Sequence, residues 1–158
     1  MDILVHDGKI VHGVLVNEIT EQGKLKGYSI LDIYSKRKVI FAEQGLVSRV
    51  KIDKLGVDTR LLEEILIPSL QKAREVADII VIDEIGKLEN TTKNIQKEIL
   101  ETLNYTKPLI VTLHKKSRNP VLQEIRSLEG VRVFDITPIN RNILPFKVLR
   151  VLNGEENP

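Results

Sequence analysis

The sequence predicts an α/β domain: a mostly parallel sheet with flanking helices, preceded by an antiparallel β-hairpin region. Three observations carry this reading. The run Ile79-Ile80-Val81-Ile82-Asp83-Glu84 is four β-branched apolar residues ending in two carboxylates, which suits a central strand covered on both faces. Around and beyond it, strand-like and helix-like periods alternate at the spacing of right-handed βαβ units. Upstream of it, two strand-like stretches are joined by a short polar connection that contains a glycine.

Taken in order, residues 10–19 and 26–34 read as strands separated by Thr20-Glu21-Gln22-Gly23-Lys24, and Lys38-Val39-Ile40-Phe41-Ala42 as a third. Asp58 or Thr59 then caps a helix whose apolar face is Leu61, Leu62, Ile65, Leu66 and Leu70. Pro68 removes one backbone donor inside it and is expected to kink it or split off its last turns. After a strand at 78–83, Asn90 and Thr91 precede a crossover helix with Ile95, Ile99 and Leu103 at i, i+4 and i+8. Leu109-Ile110-Val111-Thr112-Leu113 reads as another buried strand. Asn119 and Pro120 open a short helix to Leu128, and Gly130 lies just past its end. Val131-Arg132-Val133-Phe134-Asp135-Ile136 is expected to be the last strand, and residues 143–152 a helix interrupted near Pro145, with a frayed tail at 153–158.

At 158 residues and 18.0 kDa the chain is most simply one domain, 1–158, with a core of its own. Basic and acidic residues, 24 and 22, are interspersed and leave a formal charge of +2, so nothing in the composition calls for nucleic acid or an anionic membrane. The absence of cysteine excludes disulfides and thiolate metal sites. No signal peptide or membrane span is evident, which makes a cytoplasmic location the default expectation. Few aromatics and many Ile, Leu, Val, Lys and Glu would suit a heat-adapted source.

The chemistry is read at the end of the central strand. Open α/β sheets bind ligands beyond the carboxyl ends of their strands. In nucleotide hydrolases of this plan one acid there holds Mg²⁺ and a second orients the attacking water, roles that Asp83 and Glu84 would fill. The plain structural alternative is a strand that ends in a solvated turn. A phosphate loop, G-x-x-x-x-G-K-[ST], is not found. Gly8-Lys9, Gly23-Lys24 and Gly86-Lys87 are followed by Ile10, Leu25 and Leu88 where a hydroxyl is required.

Several ordered blocks together point to a family. These are Gly13-Val14-Leu15-Val16-Asn17-Glu18-Ile19, Lys26-Gly27-Tyr28-Ser29-Ile30, Leu55-Gly56-Val57-Asp58, Asp83-Glu84-Ile85-Gly86-Lys87-Leu88-Glu89, Thr112-Leu113-His114 and Asn140-Arg141. The chain resembles the small nucleoside-triphosphatase family first described in thermophiles, also called cancer-related nucleoside-triphosphatases, across residues 11–152. The resemblance implies a three-layer P-loop-NTPase-like fold and Mg²⁺-dependent hydrolysis of ATP, GTP and other nucleoside triphosphates. It also implies an initial strand, phosphate loop and helix, on the order of 25 residues, which this sequence is expected to lack in large part. Three explanations stand side by side: a true start further upstream, loss of the segment, or its supply by a partner. Ile3-Leu4-Val5 could replace the strand, with Asp7-Gly8 turning the chain back. A missing central strand would expose a sheet edge to a second copy or a partner chain. The alternative function is a non-catalytic interaction module or one associated with nucleic acid.

Within that resemblance Lys87 could reach a γ-phosphate, against a plain reading as a solvated lysine in a turn. Thr112 and His114, at the end of the neighbouring strand, could sense phosphate or position water. Arg141 could approach the base or phosphates, against a structural pairing with an acid. Glu89 fits better as a charge near the start of the next helix than as a metal ligand. His6, His12 and His114 are too scattered for a metal motif, and Lys115-Lys116-Ser117-Arg118 reads as solvated basic surface.

Overall fold

A computed structural model describes residues 2–88, 90–113 and 120–155. The chain divides into two compact units, Met1–Ser117 and Arg118–Pro158.

The first unit opens with helix α1 (Asp2–His6), where a replacement strand at Ile3-Leu4-Val5 was one expectation. Gly8, at φ +74°, ends it: the Gly8 amide donates to the Val5 carbonyl and the Lys9 amide to the Leu4 carbonyl, at 3.0 and 3.1 Å. A glycine stop of this kind satisfies the last helical carbonyls and turns the chain without building a hairpin.

Strands β1 (Val11–Glu21) and β2 (Lys24–Asp32) follow, joined by Gln22 and Gly23 at φ 49° and 73°. Two positive φ values in a two-residue loop match the right-handed twist of the flanking strands. Next come β3 (Lys38–Glu43) and two short strands that the sequence pattern does not reveal, β4 (Lys51–Ile52) and β5 (Leu55–Val57). Asp53 and Lys54, at φ 48° and 70°, close β4 onto β5 in the same manner.

Helix α2 (Thr59–Val76) is capped by Asp58, whose Oδ1 accepts from the Leu61 amide at 2.9 Å. It buries Leu62, Ile65, Leu66, Ser69, Leu70 and Ala73 along one face and runs unbroken through Pro68. Proline in a helix interior costs about 3 kcal/mol. Each leucine that becomes fully buried contributes about 1.5–3 kcal/mol, and Leu62, Leu66 and Leu70 are 0% exposed, so the packed face outweighs the missing bond. After α2 come β6 (Ile79–Asp83), helix α3 (Lys93–Leu103), capped by Thr92, and β7 (Leu109–Val111). Arg74 of α2 pairs with the buried Glu98 of α3 at 2.6 Å and donates to Thr102 at 2.7 Å, stapling the two helices together.

The sheet order is β4-β5-β3-β2-β1-β6-β7. β6 is parallel to both β1 and β7, and every other pairing is antiparallel. The sheet is therefore mixed, with fewer parallel pairs than expected. Tight turns permit only antiparallel return, and among the described residues the one parallel crossover between neighbouring strands is the β6–β7 connection that carries α3. Gly13 of β1 faces Val81 of β6. A Cβ there would stand 2.0 Å from the Val81 carbonyl oxygen, so glycine is what lets these strands meet.

The second unit contains α4 (Pro120–Ser127) and α5 (Leu144–Leu152). Residues 131–137 carry no strand, contrary to expectation. Strand-forming residues gain little without a partner's ladder and a covered face. Val133 and Ile136 are 59% and 67% exposed. Pro145 does not interrupt α5. It lies in the first turn, where its missing N–H has no intrahelical acceptor to lose. The proposed Asn119 cap lies outside the described residues.

Candidate functional site at the end of strand β6

Strand β6 carries four residues at 0–5% exposure and then delivers Asp83 and Glu84, both partly exposed. The sheet register explains why the acids emerge there. Asp83 is the last residue of β6 paired with β1, opposite Leu15. A 3₁₀ turn, Ile85–Lys87, follows at once and buries Ile85 completely. Leu88, also fully buried, fixes the far side of the turn. Its amide donates to the Ile85 carbonyl at 2.9 Å.

The neighbouring strand holds the turn from its other side. The Thr112 amide donates to the Ile82 carbonyl, and the Thr112 carbonyl accepts from the Ile85 amide, both at 3.1 Å. The Thr112 hydroxyl donates to Oδ1 of Asp83. Thr112 and Asp83, 29 residues apart, thus form one unit. This unit leaves the second carboxylate oxygen of Asp83 without a hydrogen bond among the described residues. Glu84 stands just before the 3₁₀ turn and makes no side-chain capping bond to it.

Lys87 is neither solvated nor aimed at open space. Its Nζ lies 2.6 Å from Oδ2 of Asp53, in the β4–β5 turn, and 5.1 Å from the centre of the Tyr28 ring. The Tyr28 hydroxyl donates to the same Asp53 oxygen at 2.5 Å. Ion pairing with Lys87 holds the Asp53 carboxyl below its ordinary range, with help from Tyr28. Burial alone would lower the Lys87 value. The bonds to Asp53 and Tyr28 outweigh it, so the ammonium is held more firmly protonated than a free lysine. Burial and the bond to Asp53 push the Tyr28 phenol up to about 12.

Arg141 belongs to the second unit, where it is exposed and its amide donates to the Thr137 carbonyl at 3.1 Å. Asn140 beside it closes that turn, accepting from the Thr137 amide at 2.8 Å and donating to the Asp135 carbonyl at 2.8 Å. His114 and Glu89 lie outside the described residues. Sequence reasoning missed Asp53 and Tyr28 as neighbours of Lys87. They stand 34 and 59 positions away in sequence (87 − 53 and 87 − 28), and no local pattern links them.

A divalent cation fits the donor set. Asp83 and Glu84 offer hard oxygen ligands, and no group of three or more His, Asp or Glu side chains forms a cage among the described residues. Mg²⁺ is held in this sparse way, through one or two carboxylates, several waters and the substrate's phosphates.

Comparison with known proteins gives the family. A family described as NTPase matches residues 1–149. The nucleoside-triphosphatase THEP1 of Thermoplasma volcanium is 73% identical over 154 residues, covering 98% of this chain and 86% of that one. Its counterpart from Thermoplasma acidophilum is 73% identical over 156 residues, covering 99% and 86%. The crystal structure of THEP1 from Aquifex aeolicus superposes with a TM-score of 0.84 at 27% identity, over 96% of this chain and 88% of that one. A human cancer-related nucleoside triphosphatase shares the fold, with a TM-score of 0.79 at 23% identity over 99% and 88%. An α/β chain whose strand β6, next to the edge strand β7 rather than central, ends in paired acids, and which matches these proteins over nearly all its length, belongs to the THEP1 nucleoside-triphosphatase family.

Proposed function

We infer that this chain acts on the terminal phosphate of a nucleoside triphosphate such as ATP or GTP, releasing the diphosphate and inorganic phosphate with Mg²⁺ as cofactor. The observation that carries the reading is the contrast between the two acids. Asp83 is anchored through one oxygen by Thr112, and Glu84 has no side-chain hydrogen bond among the described residues. An anchored carboxylate suits holding a hydrated cation in a fixed place. An unengaged one beside it suits accepting a proton from water, a role worth about 10²–10⁴-fold in rate. When bound, Mg²⁺ supplies charge neutralisation at the phosphate oxygens.

Thr112 keeps the Asp83 carboxylate oriented, and the buried Ile85 and Leu88 keep the backbone after Glu84 from drifting. The sequence contains no phosphate-loop motif, so the amides that cradle the phosphates must come from outside that motif. The second reading is a non-catalytic interaction module of the same family.

Calorimetric titration with ATP and GTP, with and without Mg²⁺, tests the choice. Mg²⁺-dependent micromolar binding, about −8 kcal/mol, with phosphate release on incubation supports the hydrolase. No binding by the 158-residue chain supports the module.

A further inference from the structure

We propose that Asp53 is a positioning residue for the strand-end site: its carboxylate, shared with the Tyr28 hydroxyl, fixes the ammonium of Lys87, the last residue of the 3₁₀ turn that follows Asp83 and Glu84. The inference rests on the function proposed above and adds to it a residue from the far side of the sheet. Oδ2 of Asp53 receives both the Tyr28 hydroxyl and Lys87 Nζ, at 2.5 and 2.6 Å. The ammonium also lies toward the ring of Tyr28, a side chain only 1% exposed.

The backbone of the 3₁₀ turn does not need this pair, since Ile85 and Leu88 are already buried and hydrogen-bonded. What the pair settles is where the head group of Lys87 stands. A lysine side chain otherwise has four rotatable bonds whose freedom is lost on being fixed. The fold brings Asp53 there through a chain of pairings. β5 pairs with β3 at Val57 and Ala42, and Ala42 pairs with Tyr28 of β2. The β4–β5 turn is thereby carried to the tyrosine.

Asp53→Asn isolates the charge. Asparagine tolerates the positive φ of 48° at this position as aspartate does, so the turn survives while the anionic partner of Lys87 is lost. Acylation with an amine-reactive ester, followed site by site by mass spectrometry, is expected to rise about tenfold at Lys87 and to stay level at Lys72. The Tyr28 phenol, followed by ultraviolet absorbance, is expected to titrate below about 12. Mg²⁺-ATP affinity is expected to fall about fivefold, with an unchanged urea midpoint. In a Lys87→Gln background, Asp53→Asn should cause no further loss of affinity.

Unchanged labelling at Lys87 would overturn the proposal. So would freed labelling with unchanged Mg²⁺-ATP affinity, or an equal loss of affinity in the Lys87→Gln background. If the unmodified chain binds no nucleotide, the proposed function falls, and labelling and phenol titration still decide whether Asp53 holds Lys87.

Discussion

Two aspartates that end strands of the same sheet are treated in opposite ways. Asp32 closes β2 and Asp83 closes β6, with β1 between them, and β2 and β6 run in opposite directions. Asp32 accepts from the Tyr34 amide, the Ser35 amide and hydroxyl, and the Ser69 hydroxyl of α2. Burial pushes its carboxyl up, but these donors together bring it below the ordinary value of 3.8. Asp83 has one described donor, Thr112, and Glu84 beside it has none. A saturated carboxylate has no acceptor capacity left for a ligand and serves the fold. An under-coordinated pair at a strand end keeps that capacity for a ligand, at some cost in stability.

The comparison can be broken most sharply at Glu84. In a hydrolytically competent form, Glu84→Gln is expected to lower phosphate release by about 10²–10⁴-fold while nucleotide binding and the unfolding midpoint stay unchanged. Normal turnover would remove the general-base assignment. Next in size is Asp32→Ala, which removes the shared acceptor of two amides and the Ser35 hydroxyl and leaves the buried Ser69 hydroxyl with the Gly13 carbonyl alone. It should destabilise the fold by about 3 kcal/mol, the scale of a lost charge-assisted hydrogen bond plus unpaired donors, as read by urea unfolding. Asp83→Asn is the intermediate test. It should weaken Mg²⁺-dependent nucleotide binding at least tenfold and cost the fold about 1 kcal/mol or less, since one neutral hydrogen bond to Thr112 remains available.

The smallest effect is a pH dependence. His12 is 8% exposed, sits edge-on to Tyr34 at 4.6 Å between ring centres, and has an Nδ1 without a described partner. Burial holds it below its ordinary 6.5 against the opposing pull of the Val11 backbone and Asp32, while Lys36 and Lys72 add to the lowering. The unfolded chain therefore takes up this proton first as pH falls. The stability associated with a neutral His12 is fully present above 6.5 and is lost as pH drops from there toward the lower folded value. Asp32 adds a second, more acidic loss. Its folded value is lower than its unfolded one, so its contribution holds above 3.8 and fades as pH falls through the folded value. Urea midpoints between pH 7 and 5 should decline in the unmodified chain and flatten in His12→Leu. An equal decline in both would mean that another group carries it.

Much of this architecture is readable from local pattern. The alternation at β1 and β2, the Asp58 cap, the apolar stripe of α2 and the run at Ile79–Asp83 each state their element within a dozen residues. The acids at the end of that run were visible for the same reason. Other features were not legible. Val131-Arg132-Val133-Phe134-Asp135-Ile136 has the composition of a strand, yet strand formation depends on a neighbour that local composition does not reveal. Pro68 carries a helix-breaking signal that three fully buried leucines on the same helix override. Lys87 could be singled out as a cation near the acids, but Asp53 could not be singled out as its counter-charge.

Local pattern was enough for the fold class, the family resemblance and the point where two carboxylates end strand β6, because periodicity, turn chemistry and ordered motifs act over short spans of chain; that β6 lies next to the sheet edge was not legible there. Only the tertiary structure decided which strands pair, and hence that Thr112 anchors Asp83 while Tyr28 and Asp53 hold Lys87. Those contacts join residues brought together by sheet order and crossover connections. Pairing of that kind is a property of the packed chain rather than of any segment of it.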